Sequence, residues 1–183
     1  MPPYSGWNSN GIRGEDIVSS NPNDTPPPQR KRPRLKADQV YQRPGAVGHI
    51  VIGTKERCPV FSDEGFAEAF KTITVKTSKE THCPLYAFCI MPDHVHLLVE
   101  ASESTGIIDF VKHVKGRFSV ACRNMGRPGL LQKSFYDHMI RKDEDLRKTA
   151  EYILANPVRK GLVERIGQYP FAGSLVFDLD GGM

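Results

Sequence analysis

No stretch of this 183-residue chain approaches the eighteen or so consecutive apolar residues that a membrane span needs. The polar N-terminus also lacks the apolar core of a secretion signal. A membrane protein or an exported one is therefore not expected, and the chain reads as cytoplasmic and nucleoid-associated. The four cysteines, Cys58, Cys83, Cys89 and Cys122, show no CxxC spacing. Three of them fall within apolar patterns, as free core thiols in a reducing compartment do. Strong charge of one sign is missing as well. Of the net +4, residues 1–43 hold +3, with seven Lys/Arg against four Asp/Glu, so residues 44–183 carry only +1. Any nucleic-acid footprint on the folded part must be a local patch.

What is present divides into three segments. Residues 1–43 have almost no aliphatic cluster and contain Pro26-Pro27-Pro28, the composition of a disordered, basic, Pro-rich tail. Within it Arg30, Lys31, Arg32, Arg34 and Lys36 form either an arm that attracts phosphates without reading sequence or a solvated tail. Residues 44–175 read as one folded domain, and 176–183 as a short C-terminal tail.

The domain opens with a β-branched strand, Val47 to Thr54, in which His49 reads as a satisfied sheet histidine. Ser62 or Asp63 can cap a helix running to about Ser78, with Phe66, Phe70 and Ile73 on its apolar face. A hairpin from Leu85 to Ala101 follows, turning at Met91-Pro92-Asp93, where Pro92 fixes φ and Asp93 can bond its own backbone. Ser104 or Thr105 then starts the longest helical pattern, with Ile107, Phe110, Val111, Val114, Phe118, Ala121, Cys122 and Met125 on one stripe and Gly126 at the end. Lys112, Lys115, Ser119 and Arg123 line one flank of that stripe, as a solvated face or a phosphate-binding one. Ser134 to Arg141 is a short strand. Asp143 caps a last helix, which Pro157 closes. Strand, helix, strand, strand, helix, strand is the split βαβ–βαβ order of an α+β ferredoxin-like sandwich, with one additional C-terminal helix.

Two constellations carry chemistry. In the hairpin, strand alternation sends Val95, Leu97 and Val99 toward a core and His94 and His96 to the opposite face, side by side. They are two ligands for one metal ion or a pair of ordinary sheet histidines. In the last helix Leu146, Ala150, Ile153 and Leu154 form the apolar stripe, and Tyr152 falls outside it with Asn156 one turn on. Tyr152 is then either a presented nucleophile or a half-exposed surface tyrosine, with Asn156 capping the segment at Pro157. Tyr136 and His138 share one strand face and could form a proton relay or simply pack. Arg141 and Lys115 are candidate phosphate clamps. His82 and His113 have no evident role.

Three blocks in order resemble a known family: Asp93-His94-Val95-His96-Leu97-Leu98-Val99, Ser134-Phe135-Tyr136-Asp137-His138-Met139-Ile140-Arg141, and Tyr152-Ile153-Leu154-Ala155-Asn156-Pro157-Val158-Arg159-Lys160-Gly161-Leu162-Val163. They are similar to the blocks of single-tyrosine transposases in the HUH endonuclease superfamily, and the Asn-Pro form is closest to the REP-associated branch. The similarity runs from about Val47 to about Ser174. The resemblance implies that Tyr152 attacks a phosphodiester of single-stranded DNA at a hairpin, leaving a 5′-phosphotyrosine and a free 3′-hydroxyl. It implies His94, His96 and Asn156 as ligands of one Mg²⁺ or Mn²⁺; charge and position make Lys112, Lys115, Arg123, Arg141, Arg30, Lys31 and Arg32 the candidate DNA contacts. The insertion-sequence branch has a glutamine where this chain has Asn156, and the family often has tryptophan where it reads Leu131-Gln132-Lys133. Imidazole ligands alone would instead suit Zn²⁺. The alternatives to a transposase are a catalytically silent DNA-hairpin-binding descendant and a zinc-dependent hydrolase of small phosphoesters. The oligomeric state, monomer or homodimer, stays open.

Overall fold

The structure, a computed structural model, describes residues 40–141 and 145–177. Arg30, Lys31, Arg32, the proposed cap Asp143 and nearly all of the two tails lie outside the described residues. The elements are β1 (Val47–Gly53), α1 (Glu64–Thr81), β2 (Leu85–Met91), β3 (His94–Glu100), α2 (Ile107–Asn124), β4 (Tyr136–Met139), α3 (Leu146–Leu154), the single turn α4 (Asn156–Arg159) and β5 (Ala172–Gly173). The sheet order is β4-β1-β3-β2-β5, antiparallel throughout. Its first four strands in the order 4-1-3-2, with α1 and α2 as crossovers, make the expected ferredoxin-like sandwich. Among the described residues, no helix is long and apolar enough to cross a membrane.

Alternation along the strands separates the two faces. Ile50, Ile52, Val95, Leu97 and Val99 are fully buried and pack with α1 and α2. At the centre of that layer Phe118 meets Phe61, Phe66 and Phe70 with ring centroids 5.7, 6.4 and 4.9 Å apart. The opposite face carries Ala87, Cys89, Met91 and Leu98, covered by Ala150, Ile153 and Leu154 of α3. The additional helix thus closes the second face of the sheet, and this face also bears His94 and His96.

Local chemistry sets the helix ends, and it moves several of the sequence-based boundaries. Asp63 caps α1, its Oδ1 accepting from the Gly65 and Phe66 amides at 2.9 and 3.4 Å. The helix continues past Ser78 to Thr81, where His82 adopts the left-handed conformation (φ 53°) and stops it. Neither Ser104 nor Thr105 caps α2: the helix begins only at Ile107, and Thr105 belongs to the preceding turn, its amide donating to Ser102 Oγ at 3.0 Å. Gly106 takes the cap position, where an added Cβ would sit 2.8 Å from the Tyr41 carbonyl, so only glycine fits. For α3 the cap is Asp145, which accepts from the Arg147 and Lys148 amides at 3.0 and 3.2 Å. Two features exceed the sequence reading. Tyr41 is buried in the core, so the folded part reaches back to residue 40. Residues 172–173, to which the sequence pattern assigns no element, add the edge strand β5.

Candidate active site

The β2–β3 turn is fixed from outside itself. The Asp93 carbonyl accepts from the Thr54 amide at 3.0 Å and from Thr54 Oγ1 at 2.8 Å, and the Pro92 carbonyl accepts from the Phe61 amide at 2.9 Å. Arg57 reaches Asp93 Oδ2 at 3.1 Å. The segment that delivers this guanidinium has two consecutive residues in the left-handed region, Glu56 (φ 55°) and Arg57 (φ 57°), a conformation costly for non-glycine residues. The turn residue Asp93 in turn holds His94, with Oδ1 2.6 Å from His94 Nδ1. Burial pushes the Asp93 pKa up, but His94 and Arg57 outweigh it and keep the carboxyl below its usual range.

His94 and His96 meet at their Nε2 atoms, 3.0 Å apart. His96 Nδ1 lies 3.0 Å from His49 Nε2 on β1, with the two rings 5.2 Å apart. Burial, then the neighbouring His94, His49 and Arg159, lower the His96 pKa to about 3 against a raising effect of Asp93. Burial and His138 lower that of His49 to about 4. Both rings are therefore neutral at pH 7, the form that ligates metal. Cys89 pairs with His96 across the ladder, but burial raises its thiol to about 12 against the pull of Arg159, so it offers no thiolate.

The donor set fits one divalent ion in part. Two ligands each ~2.1 Å from an ion and at right angles to one another lie about 3.0 Å apart, the observed Nε2 separation. Among the described residues, no three His, Cys, Asp or Glu side chains converge as a metal site, so a third donor from among them is of another type.

Tyr152 is 56% exposed on α3, outside the buried stripe, as its spacing predicts. Asn156 is buried. Its Nδ2 donates to the carbonyls of Tyr152 (3.2 Å) and Ile153 (2.9 Å), closing the end of α3, and its Oδ1 accepts from Arg159 Nη2 at 2.7 Å. Arg159 also donates to the Tyr152 carbonyl at 3.0 Å and stacks 3.9 Å from the Tyr152 ring centroid. One guanidinium therefore touches the tyrosine and the amide, and its charge is felt at His96.

The basic candidates are distributed differently. Lys112, Lys115 and Arg123 belong to α2, on the sheet face opposite the histidines. Lys115 Nζ donates to the carbonyls of Gln132 and Lys133 at 2.8 Å and of Ser134 at 3.3 Å, stapling the loop before β4. Arg141 is exposed just beyond β4. His138 lies directly opposite His49 in the β1–β4 ladder, with Tyr136 opposite Val51. Sequence reasoning did not single out Arg57 or Arg159 and gave Asp93 and His49 only structural roles. Arg159 had a usable signal, three and seven residues after Asn156 and Tyr152 on a helical repeat. His49 had none, because its partner is 47 residues away.

A ferredoxin-like sheet with a paired-histidine strand, covered on that face by a helix presenting a tyrosine, is the arrangement expected of the transposase class that the three sequence blocks resemble. Residues 45–155 match the IS200-like transposase family, and the chain belongs to it. A REP-associated tyrosine transposase of Escherichia coli (strain K12) is 30% identical over 101 residues, which span 54% of this chain and 58% of that one. A Haemophilus influenzae protein provisionally given the same name is 29% identical over 119 residues, 58% of this chain and 68% of that one. The solved structure of a REP-associated tyrosine transposase bound to a REP hairpin shares the fold. Its TM-score is 0.61 at 22% identity, covering 72% of this chain and 78% of that one.

Proposed function

We propose that this transposase-family protein nicks and rejoins single-stranded DNA at hairpins through Tyr152. The observation that carries the reading is the pair of imidazoles whose Nε2 atoms meet at 3.0 Å on the face covered by the tyrosine helix. Tyr152 Oη forms a bond to the scissile phosphorus while the P–O3′ bond breaks. The phenolic proton departs, the 3′ oxygen takes one up, and the 5′-phosphate stays on the enzyme as a phosphotyrosine. The link conserves the phosphoester, so a 3′-hydroxyl of another strand can reverse the step without ATP. His94 and His96 are the residues that would hold Mg²⁺ or Mn²⁺, with Asn156 as a candidate third donor, and such an ion supplies charge stabilisation at the phosphate. Asp93 holds the His94 ring, and Arg159 holds the tyrosine ring and adds a positive charge beside the site. The relative solved with a REP hairpin supports hairpin DNA as the substrate class.

The test is a panel of labelled single-stranded oligonucleotides with and without hairpins, incubated with Mg²⁺ or Mn²⁺ and run on a denaturing gel. The expected result is a metal-dependent protein–DNA adduct that vanishes in Tyr152→Phe. Hairpin binding on a native gel with no adduct or cleavage anywhere in the panel would replace this reading with that of a silent binding protein.

A further inference from the structure

We infer that His49 is a positioning residue for the paired-histidine site, acting through His96 as Asp93 acts through His94. The inference rests on the metal reading above and assigns a role to a side chain that has no place in the His-x-His motif.

A neutral imidazole carries one N–H, and the hydrogen bond made by one nitrogen fixes which lone pair the other presents. For His94 the acceptor is ionised Asp93 at 2.6 Å, which can only accept, so the proton sits on Nδ1 and Nε2 is the donor atom. Among the described residues no carboxylate faces His96 in that way, and its Nδ1 lies 3.0 Å from His49 Nε2. If His49 is protonated on Nδ1, its Nε2 accepts from His96 Nδ1–H, and the Nε2 lone pair of His96 then faces that of His94 across 3.0 Å. One proton arrangement thus readies both ligands at once. The opposite arrangement, with His49 donating, puts a proton on His96 Nε2, in the space between the two rings.

The register makes this a product of the sheet. β1 and β3 are neighbouring strands, with His49 opposite Leu98 and His96 opposite Val51, so His49 and His96 are diagonal neighbours on one face. The two ligands are also unequal. His94 is backed by a carboxylate that Arg57 holds, His96 by a neutral ring, so His94 is the stronger donor.

The test titrates Mn²⁺, followed by electron paramagnetic resonance, into the full-length protein and two variants. Glutamine places an acceptor oxygen near the position of Nε2, and leucine removes the acceptor. His49→Gln is expected to keep Mn²⁺ affinity within about threefold, while His49→Leu weakens it 10- to 100-fold. Equal affinity in wild type and His49→Leu would overturn the inference and leave the metal reading standing. No Mn²⁺ binding by the wild type would sink the metal reading, and the inference with it. A long-range ¹H–¹⁵N spectrum of the Mg²⁺-loaded wild type decides the matter without variants, should either fail to fold. Protons on Nδ1 of both His49 and His96 support the role; a proton on Nε2 of His96 refutes it.

Discussion

The guanidinium of Arg159 lies 3.9 Å from the centre of the Tyr152 ring while donating to the carbonyl of that same residue at 3.0 Å. Ring and backbone of the proposed nucleophile are thus gripped by one side chain, which also bonds Asn156. Truncating it in Arg159→Ala removes the stacking and both hydrogen bonds. Single-turnover adduct formation should slow on the order of tenfold, about 1.4 kcal/mol of barrier. Arg159→Lys should recover little, since an ammonium lacks the planar fork that stacks and bonds together. An alanine variant as fast as wild type would remove Arg159 from the site.

Asn156 is tested separately for fold and for metal. Its amide closes the end of α3, so Asn156→Ala should cost about 1–3 kcal/mol of stability by urea unfolding. If its oxygen is also a ligand, saturating Mn²⁺ should raise the melting temperature of the wild type more than that of the variant. An equal rise in both would remove Asn156 from the ligand set.

The neutral histidines give a pH dependence with a definite sign. Unfolded histidine takes up its proton near pH 6.5, whereas folded His49 and His96 stay neutral down to about 4 and about 3. Below pH 6.5 the unfolded chain therefore binds more protons than the folded one, and stability falls as pH falls. The slope approaches ~1.4 kcal/mol per pH unit for each imidazole, with no contribution above that window. Urea unfolding from pH 7.5 to 5 should show a shallower loss in His49→Gln than in wild type. Parallel lines would mean that His49 titrates normally.

Phe118 and Tyr152 should separate folding from chemistry. Phe118 is fully buried against three other phenylalanine rings, and Phe118→Ala should cost about 3–5 kcal/mol. Tyr152 is more than half exposed, so Tyr152→Phe should change stability by less than ~0.5 kcal/mol while abolishing the adduct. Thermal melts of the two variants check both numbers.

How far the site was legible follows from the range of each interaction. The outward pair His94 and His96, the inward Val95, Leu97 and Val99, and the off-stripe Tyr152 are all set by strand and helix periods, which a sequence displays directly. The left-handed stop at His82 and the cap at Gly106 were not legible. The first depends on where α1 meets β2 and the second on the close approach of the Tyr41 carbonyl, both matters of packing. Lys115 shows the same limit: its position on a basic flank suggested a phosphate contact, and the fold turns its ammonium onto three loop carbonyls.

The sequence by itself determined the order of elements, the two faces of β3 and the three blocks that place the chain in its family, because alternation, helical spacing and turn chemistry are local. Only the tertiary structure decided what stands behind each histidine. Asp93 is adjacent in the chain, yet it is held as an ionised acceptor by Arg57, 36 residues away. His49 reaches His96 solely because β1 and β3 pair in one register, and shifting that register by one residue would turn His49 to the other face.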